Sequence, residues 1–518
     1  MNILLIATPE KKDTIAGYVQ SYQPFFQAQT SITFQLAEEK PAEPETFDRI
    51  ILDEEGLDRA IVLLDSLKSF ENVYLWLFGA LIPVSSPTLM EAALQRFLAA
   101  HNWAEVKRIN RIKIKLNRLQ KAEILNSYPS QLQLESTSFC NARCIMCSHY
   151  YAENNGALDM SPELLEKLKE LFPYLQIIIM HGNGEPFISR TFQQSVDTYS
   201  HYGIVLTTNT NLSVLNQNHI KAIKKAFVNI RVSCDGCTKD IYEGIRRGLS
   251  FQHFVHNLER LQRECPNVTK TMATVMMRQN LEQLPEMVEF AAKFGFEEII
   301  FSNLGVSLLV GNEKDNTSHY PYFAAKQLRN ALETGKRCGI TVTIPSAYDL
   351  SLADEAIVEQ EIAQIHAAPF FQDAEQISQI QKFALSVVGD EYRIIEDLKD
   401  CYWEEDLYEC RGICEWCLEK PFIDLSGNVF VCCINASYRV GNVFEYDSFL
   451  DLWNNPTYRK IRHLFYSGKL PGFCDNCQFI LNHSLSCLEV PNPDQKFYQR
   501  RHISRFYREY CEEHKDET

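Results

Sequence analysis

Cys140-Asn141-Ala142-Arg143-Cys144-Ile145-Met146-Cys147 is the stretch on which the reading of this chain turns. Its three cysteines, spaced C-x3-C-x2-C, directly follow the apolar run Gln131–Glu135, which reads as a strand. Downstream, further strand-like runs occur at Gln176–His181, Gly203–Thr208, Val228–Cys234, Met272–Met277 and Glu298–Ser302. Amphipathic helical stretches lie between them at Pro162–Leu171, Thr191–His201, Gln217–Ala226, Phe251–Glu264 and Leu284–Phe294. Strand–helix alternation of this kind predicts a parallel sheet. The six repeats predict an α/β fold built on a partial (β/α)6 barrel. Barrels of this type keep their chemistry at the C-terminal strand ends, which is where the cysteine triplet falls.

Three thiolates on one loop can hold three irons of a 4Fe–4S cube and leave the fourth iron open to an outside ligand. An open position marks a reactive metal site rather than a closed structural one. A zinc site completed by His149 is the competing reading of the triplet.

Four more elements follow in order along the repeats. Asn183-Gly184-Glu185-Pro186 ends the second strand, and Thr207-Thr208-Asn209-Thr210-Asn211 the third. Ser233-Cys234-Asp235-Gly236 ends the fourth, and Ile245-Arg246-Arg247-Gly248 comes shortly after. With the triplet, this set resembles the radical S-adenosylmethionine (AdoMet) superfamily over about residues 131–310. Asn183 departs from the family's Gly-Gly-Glu-Pro motif, which puts the local backbone conformation in question. The resemblance implies a 4Fe–4S cluster on Cys140, Cys144 and Cys147. It also implies an AdoMet site formed by Gly184, Glu185, Pro186, Asn209, Ser233, Asp235 and Arg246. Glu185 would anchor the amino group of AdoMet, and Arg246 or Arg247 would pair with its carboxylate.

Cys410-Arg411-Gly412-Ile413-Cys414-Glu415-Trp416-Cys417 repeats the C-x3-C-x2-C spacing, but no barrel strand precedes it. It is followed by Pro421–Leu425, a Ser426-Gly427-Asn428 turn and Val429–Cys433, which predict a β-hairpin. Cys474 and Cys477 come later, separated by two residues. Taken alone, the paired C-x2-C elements read as a zinc ribbon. The order of elements over about 414–480 resembles the auxiliary-cluster domains called SPASM or Twitch. That resemblance implies a closed 4Fe–4S cluster on Cys414, Cys432, Cys474 and Cys477, with Cys417 and Cys433 as alternates for the first two. Cys265, Cys338 and Cys511 read as small buried hydrophobes.

The remaining chain organises around these parts. Residues 1–105 read as a small α/β domain, with strand-like runs at Asn2–Ala7, Arg49–Leu52 and Val73–Phe78 and helical periodicity at Leu57–Ser69 and Thr88–Asn102. Residues 106–130 read as a helical connector with a solvated charged face, 131–320 as the partial barrel, and 321–400 as a helical bridge that holds the strand Thr341–Pro345. The cysteine-rich domain takes 401–490, and 491–518 is a charged tail. Residues 1–105 hold one histidine, His101, and so lack the Asp-x-His-x-x-Gly signature of cobalamin binding. The formal net charge of −16 argues against nucleic-acid binding, which needs a positive surface. No apolar run approaches the roughly 20 residues that span a bilayer. Met1–Thr8 lacks the positive flank of a signal peptide, so a cytoplasmic location is expected. Seventeen cysteines in such a chain imply metal ligation rather than disulfides.

The family mechanism implied is reductive cleavage of AdoMet to a 5′-deoxyadenosyl radical, which abstracts a substrate hydrogen atom. The expected electron donor is a flavodoxin or ferredoxin. An auxiliary cluster can accept an electron from a substrate radical, which favours net oxidative modification of a peptide or protein by a radical AdoMet oxidoreductase. Dehydrogenation or epimerisation of a carbohydrate or aminocyclitol is the alternative. A non-catalytic iron–sulfur or zinc scaffold is the reading from a different class.

Overall fold

The computed structural model describes residues 2–7, 11, 14–16, 31–35, 49–52, 73–77, 80–84, 88–147, 158–305, 315–345, 348–367, 369–371, 410–433, 439–471, 474 and 488–489. The helix expected at Leu57–Ser69, the charged tail, His149, Cys401, Cys477, Cys487 and Cys511 lie outside the described residues. The chain divides into two units.

The first unit comprises Met1–Ser130, Lys169–Gln176 and Asp447–His463. Its sheet has the order β2-β1-β3-β4-β5, with β1 Asn2–Ile6, β2 Ser31–Gln35, β3 Arg49–Leu52, β4 Val73–Leu77 and β5 Ala80–Pro83. The first four strands are parallel and β5 returns antiparallel to β4. Val73, Leu75, Ile50 and Leu52 pack in one core with Val106, Ile109, Ile112 and Leu116 of the helix Trp103–Leu119. That helix, expected as a connector with a solvated face, is thus part of the core. Its Lys107 and Lys113 are buried, and Lys113 pairs with Glu91 at 3.0 Å. Amphipathic lysines bury their stems along apolar surface, so a basic run need not mark a free face.

The second unit holds a ten-stranded sheet in the order β14-β13-β12-β10-β9-β8-β6-β16-β17-β18. Its strands are β6 Gln131–Leu134, β8 Ile177–Ile179, β9 Val205–Thr210, β10 Phe227–Ser233, β12 Thr269–Met276, β13 Glu298–Asn303 and β14 Thr341–Thr343, followed by β16 Phe422–Ile423, β17 Asn428–Phe430 and β18 Arg439–Asn442. The six expected repeats form the parallel centre. The strand expected at Thr341–Pro345 within the helical bridge forms over Thr341–Thr343 and adds a seventh parallel strand beside β13. Phe422–Ile423 pairs parallel with β6, so the C-terminal hairpin continues the barrel sheet. The turn between β16 and β17 is closed by Asp424, whose Oδ1 accepts from the Ser426 and Asn428 amides at 2.9 Å each. Gly427 supplies the positive φ of +80° in that turn.

Two short strand pairs complete the description. β7 Arg143–Cys144 runs antiparallel to β11 Arg246–Arg247, and β15 Arg411–Gly412 runs antiparallel to β19 Leu488–Glu489.

Candidate active site at the strand ends

The cysteine loop is tied directly to three of the four motifs that follow it. The Glu185 amide donates to Phe139 O at 2.7 Å, and the Asn211 side chain donates to Asn141 Oδ1 at 3.1 Å. Cys144 lies opposite Arg246 in the β7–β11 pair, and the Ile145 amide donates to Ile245 O at 3.0 Å. Cys140 is exposed, Cys147 half-buried and Cys144 buried. Burial pushes the Cys144 thiol up to about 12, and the Arg246 guanidinium, 3.8 Å from its sulfur, works in the opposite direction. Burial also raises Cys140, whose thiol feels Glu185, Cys147 and Arg246. The three thiols therefore share one electrostatic neighbourhood with Glu185, Asp235 and Arg246. Among the described residues, no three Cys, His, Asp or Glu side chains converge as ligands of one ion do. A cube differs in spreading its thiolates over separate irons.

Gly184 is fixed by contact rather than by φ. A Cβ there would lie 2.2 Å from Thr137 O and 2.6 Å from Phe139 O, both backbone atoms. Asn183, which replaces the family's first glycine, is not among the described residues with positive φ. Its amide donates to Glu135 Oε1 at 2.7 Å, so the departure introduces no backbone strain.

Glu185 caps the short turn Pro186–Ile188 by accepting from the Phe187 amide at 3.1 Å. It also accepts from Thr210 Oγ1 and from the Asn211 amide, each at 2.6 Å. Burial pushes its carboxyl up, and these donors pull it back. Three donors on a carboxylate with about four acceptor sites leave one position free, which an ammonium group fits.

Asp235 and Arg246 form a buried ion pair with 2.7 Å between Oδ2 and Nη2. Asp235 Oδ1 accepts from the Val275 amide at 2.8 Å, and the Asn280 side chain donates to Asp235 O at 3.0 Å. Burial raises the Asp235 carboxyl while Arg246 favours its charged form. Burial works against the Arg246 charge as well, but Asp235 and Cys144 outweigh it and hold the guanidinium charged.

Ser233 is half-buried at the end of β10. Asn209 stands apart from Glu185, with its Nδ2 3.4 Å from His181 Nε2. Sequence reasoning passed over Thr210 and Asn211 as holders of Glu185, although both lie in the quoted Thr207–Asn211 stretch. Thr210 works from the face of β9 opposite to Asn209, and Asn211, just past the strand, works through its backbone amide; residue types show neither.

At the second cysteine group, Cys414, Cys417, Cys432 and Cys474 are all buried. Cys417 and Cys414 are hydrogen-bonded through their thiols, and this contact with burial holds Cys414 well above the ordinary thiol value. Cys433 is half-buried and lies within electrostatic reach of Arg231 on β10. Cys477, the fourth expected ligand, lies outside the described residues.

Residues 134–291 match the model of the radical SAM superfamily. Residues 414–478 match that of the SPASM iron–sulfur cluster-binding domain. A radical SAM match is thus followed by a SPASM match, a pairing that implies 4Fe–4S clusters and AdoMet as cofactors. Among its relatives is the mycofactocin maturase MftC of Mycolicibacterium smegmatis, 27% identical over 173 residues, covering 32% of this chain and 43% of that protein. The cofactor-modifying protein of a tungsten-containing aldehyde ferredoxin oxidoreductase from Pyrococcus furiosus is 26% identical over 186 residues, covering 33% and 51%. The matched region spans about half the length of these relatives. Among solved structures, Streptococcus suis SuiB bound to precursor peptide SuiA aligns at 15% identity and a TM-score of 0.45, covering 68% of this chain and 71% of that one. Among the described residues, no helix is long and apolar enough to cross a membrane.

Proposed function

We propose that this protein is a radical AdoMet enzyme that oxidatively modifies a peptide or protein. The observation that carries the reading is the docking of the cysteine loop on the loops of Glu185, Asn211 and Arg246. Residues far apart in sequence are thereby assembled around three thiols. In this reading Cys140, Cys144 and Cys147 hold a 4Fe–4S cluster, and Cys414, Cys432, Cys474 and Cys477 hold an auxiliary one. When bound, the first cluster and AdoMet supply a one-electron cleavage that yields a hydrogen-abstracting carbon radical.

The chain's own residues orient and shield. Glu185 offers its remaining acceptor position to the AdoMet amino group. Gly184 and Pro186 bring the backbone close to it, and Asn209 and Ser233 line the strand ends. Asp235 holds Arg246 charged and aimed beside Cys144, where the guanidinium favours thiolate and carboxylate alike. The peptide preference is supported by two relatives, a maturase and a cofactor-modifying protein, and by a separate N-terminal unit that would dock a carrier segment. A flavodoxin or ferredoxin would deliver the electron.

Anaerobic reconstitution tests this reading. The protein should bind about eight irons as two 4Fe–4S clusters and, with dithionite, convert AdoMet to 5′-deoxyadenosine. Cys144→Ala should reduce that conversion to background. Wild-type turnover by the triple Cys140→Ala, Cys144→Ala, Cys147→Ala variant would refute the proposal.

A further inference from the structure

Side chains along the barrel strands alternate between two environments. On β9, Leu206 and Thr208 are buried while Val205, Thr207 and Asn209 are partly open. On β10, Ile230 and Val232 are buried while Arg231 is exposed. Asn209 and Arg231 are direct register partners, so their side chains lie next to each other on the open face. His181 joins this row through Asn209 Nδ2, 3.4 Å from its Nε2, with Gln133 Nε2 at 3.3 Å from the same nitrogen. The Gln133 amide nitrogen also donates to His181 O, which fixes its orientation. Two amide N–H groups therefore converge on Nε2, which must accept, and the ring proton resides on Nδ1. That Nδ1 is buried and meets no hydrogen-bond partner among the described residues.

The neighbouring guanidinium likewise has no contacting partner: the Arg231 side chain makes no ion pair or hydrogen bond among the described residues. Arg231 and Lys420 both bear on His181 and, with burial, keep the ring neutral. Lys420 has a partner, Glu415, at 3.7 Å. Glu298 and Cys433 act on Arg231 at a distance, without a contact to its guanidinium among the described residues. An unpaired guanidinium beside an unpartnered N–H donor is an arrangement suited to a planar anion.

We propose that Arg231 and the His181 Nδ1–H bind a carboxylate group of the substrate. This rests on the reading of the chain as a peptide-modifying radical enzyme. Arg231 lies two residues before Ser233, and His181 two before Asn183. At the rise of a β-strand that sets the carboxylate about 7 Å below the strand-end loops. The site then positions a neighbouring carbon of the substrate toward those loops. His181 and Arg231 are positioning residues for the reaction.

Phenylglyoxal labelling of the full-length, anaerobically reconstituted enzyme, read by peptide mass spectrometry, tests the site. N-acetylglutamate α-amide represents a side-chain carboxylate and N-acetylalanine a chain terminus. One or both should slow labelling of Arg231 at least fivefold, and the more protective probe identifies the source of the carboxylate. N-acetylglutamine amide should give no protection. Arg190, whose side chain is 79% exposed, should be labelled at the same rate throughout. His181→Phe should cut the protection to less than twofold. Equal labelling of Arg231 with and without both carboxylates would overturn the proposal. So would inorganic phosphate protecting as well as they do. AdoMet cleavage is assayed on the same samples. Cleavage without protection refutes this site alone, and absence of cleavage refutes the radical reading.

Discussion

Asp235→Asn isolates the electrostatic role of the buried pair. The substituted amide keeps an oxygen for the Val275 N–H, which Asp235 accepts at 2.8 Å, and removes only the charge facing Arg246. Both side chains are withdrawn from water, at 0% and 9% exposure, so the guanidinium is left buried without a counter-ion. Breaking a buried pair from one side costs about 3–5 kcal/mol. At about 2–4 °C per kcal/mol for a large domain, the melting temperature should fall by roughly 6–20 °C. The double variant Asp235→Asn, Arg246→Met removes the orphaned cation as well. It should recover most of that loss, giving a coupling energy of about 2–3 kcal/mol between the two positions. Thermal unfolding of anaerobically reconstituted protein, followed by intrinsic fluorescence, measures the first part. 5′-Deoxyadenosine formation measures the second, and both Arg246→Met proteins should lose it whether or not stability returns. Additive losses in the double variant would refute the pair as a stabilising unit. Full AdoMet cleavage by Arg246→Met would refute its assigned role.

Gly184→Ala forces a Cβ against Thr137 O and Phe139 O. At about 1–3 kcal/mol for overpacking, the apparent affinity for AdoMet should weaken roughly 5- to 150-fold, read as KM in the cleavage assay. Asn183→Gly should leave cleavage unchanged, because Asn183 does not need the left-handed conformation that glycine offers. His181 and His219 are both held down to about 4 by burial, with Arg231 and Lys420 adding to the shift at His181 and a Phe187 contact opposing it at His219. Between about pH 6.5 and 4 the unfolded chain therefore binds protons that the folded one refuses, and stability falls as the pH is lowered through that window. His219→Gln should flatten the pH dependence of the urea midpoint relative to wild type; an unchanged slope would show that His219 is not held neutral.

Local periodicity made the barrel centre legible. The helices at Gln217–Ala226 and Phe251–Glu264 and the strand at Arg49–Leu52 lie where the hydrophobic pattern put them. Short strands whose stability comes from neighbours were not legible. Ser31–Gln35 carries too few residues to display a period and forms because a parallel edge is waiting for it. The Lys/Arg-rich helix Trp103–Leu119 was misread for a related reason. Charge along a sequence says nothing about where the methylene stems lie, and Ile109, Ile112 and Leu116 direct that face inward. At the site, residue types at fixed offsets single out Cys144, Glu185, Asp235 and Arg246 as candidates, and the fold brings them within electrostatic reach of one another. Their holders Thr210 and Val275 could not be read. One works through its position on a particular strand face and the other through a backbone amide, which any residue but proline would provide.

Glu135 shows how the two halves of this arrangement are joined. It follows β6, and its amide donates to Ile423 O at 3.0 Å, continuing the ladder with the C-terminal hairpin. Its side chain accepts from the Asn183 amide at 2.7 Å through Oε1 and from the Leu425 amide at 3.4 Å through Oε2. Gly182 leaves the room this requires, since a Cβ there would lie 2.6 Å from Glu135 Cγ. One buried carboxylate thus holds the loop that precedes Glu185 with one oxygen and the turn of the auxiliary hairpin with the other. Burial raises its carboxyl, and the nearby Asp424 charge adds to the shift. Its ionised form therefore depends on both amides staying in place, since either one leaving exposes an unpaired buried charge. A displacement of the hairpin is consequently opposed at the Asn183–Glu185 loop, with no intervening element to absorb it.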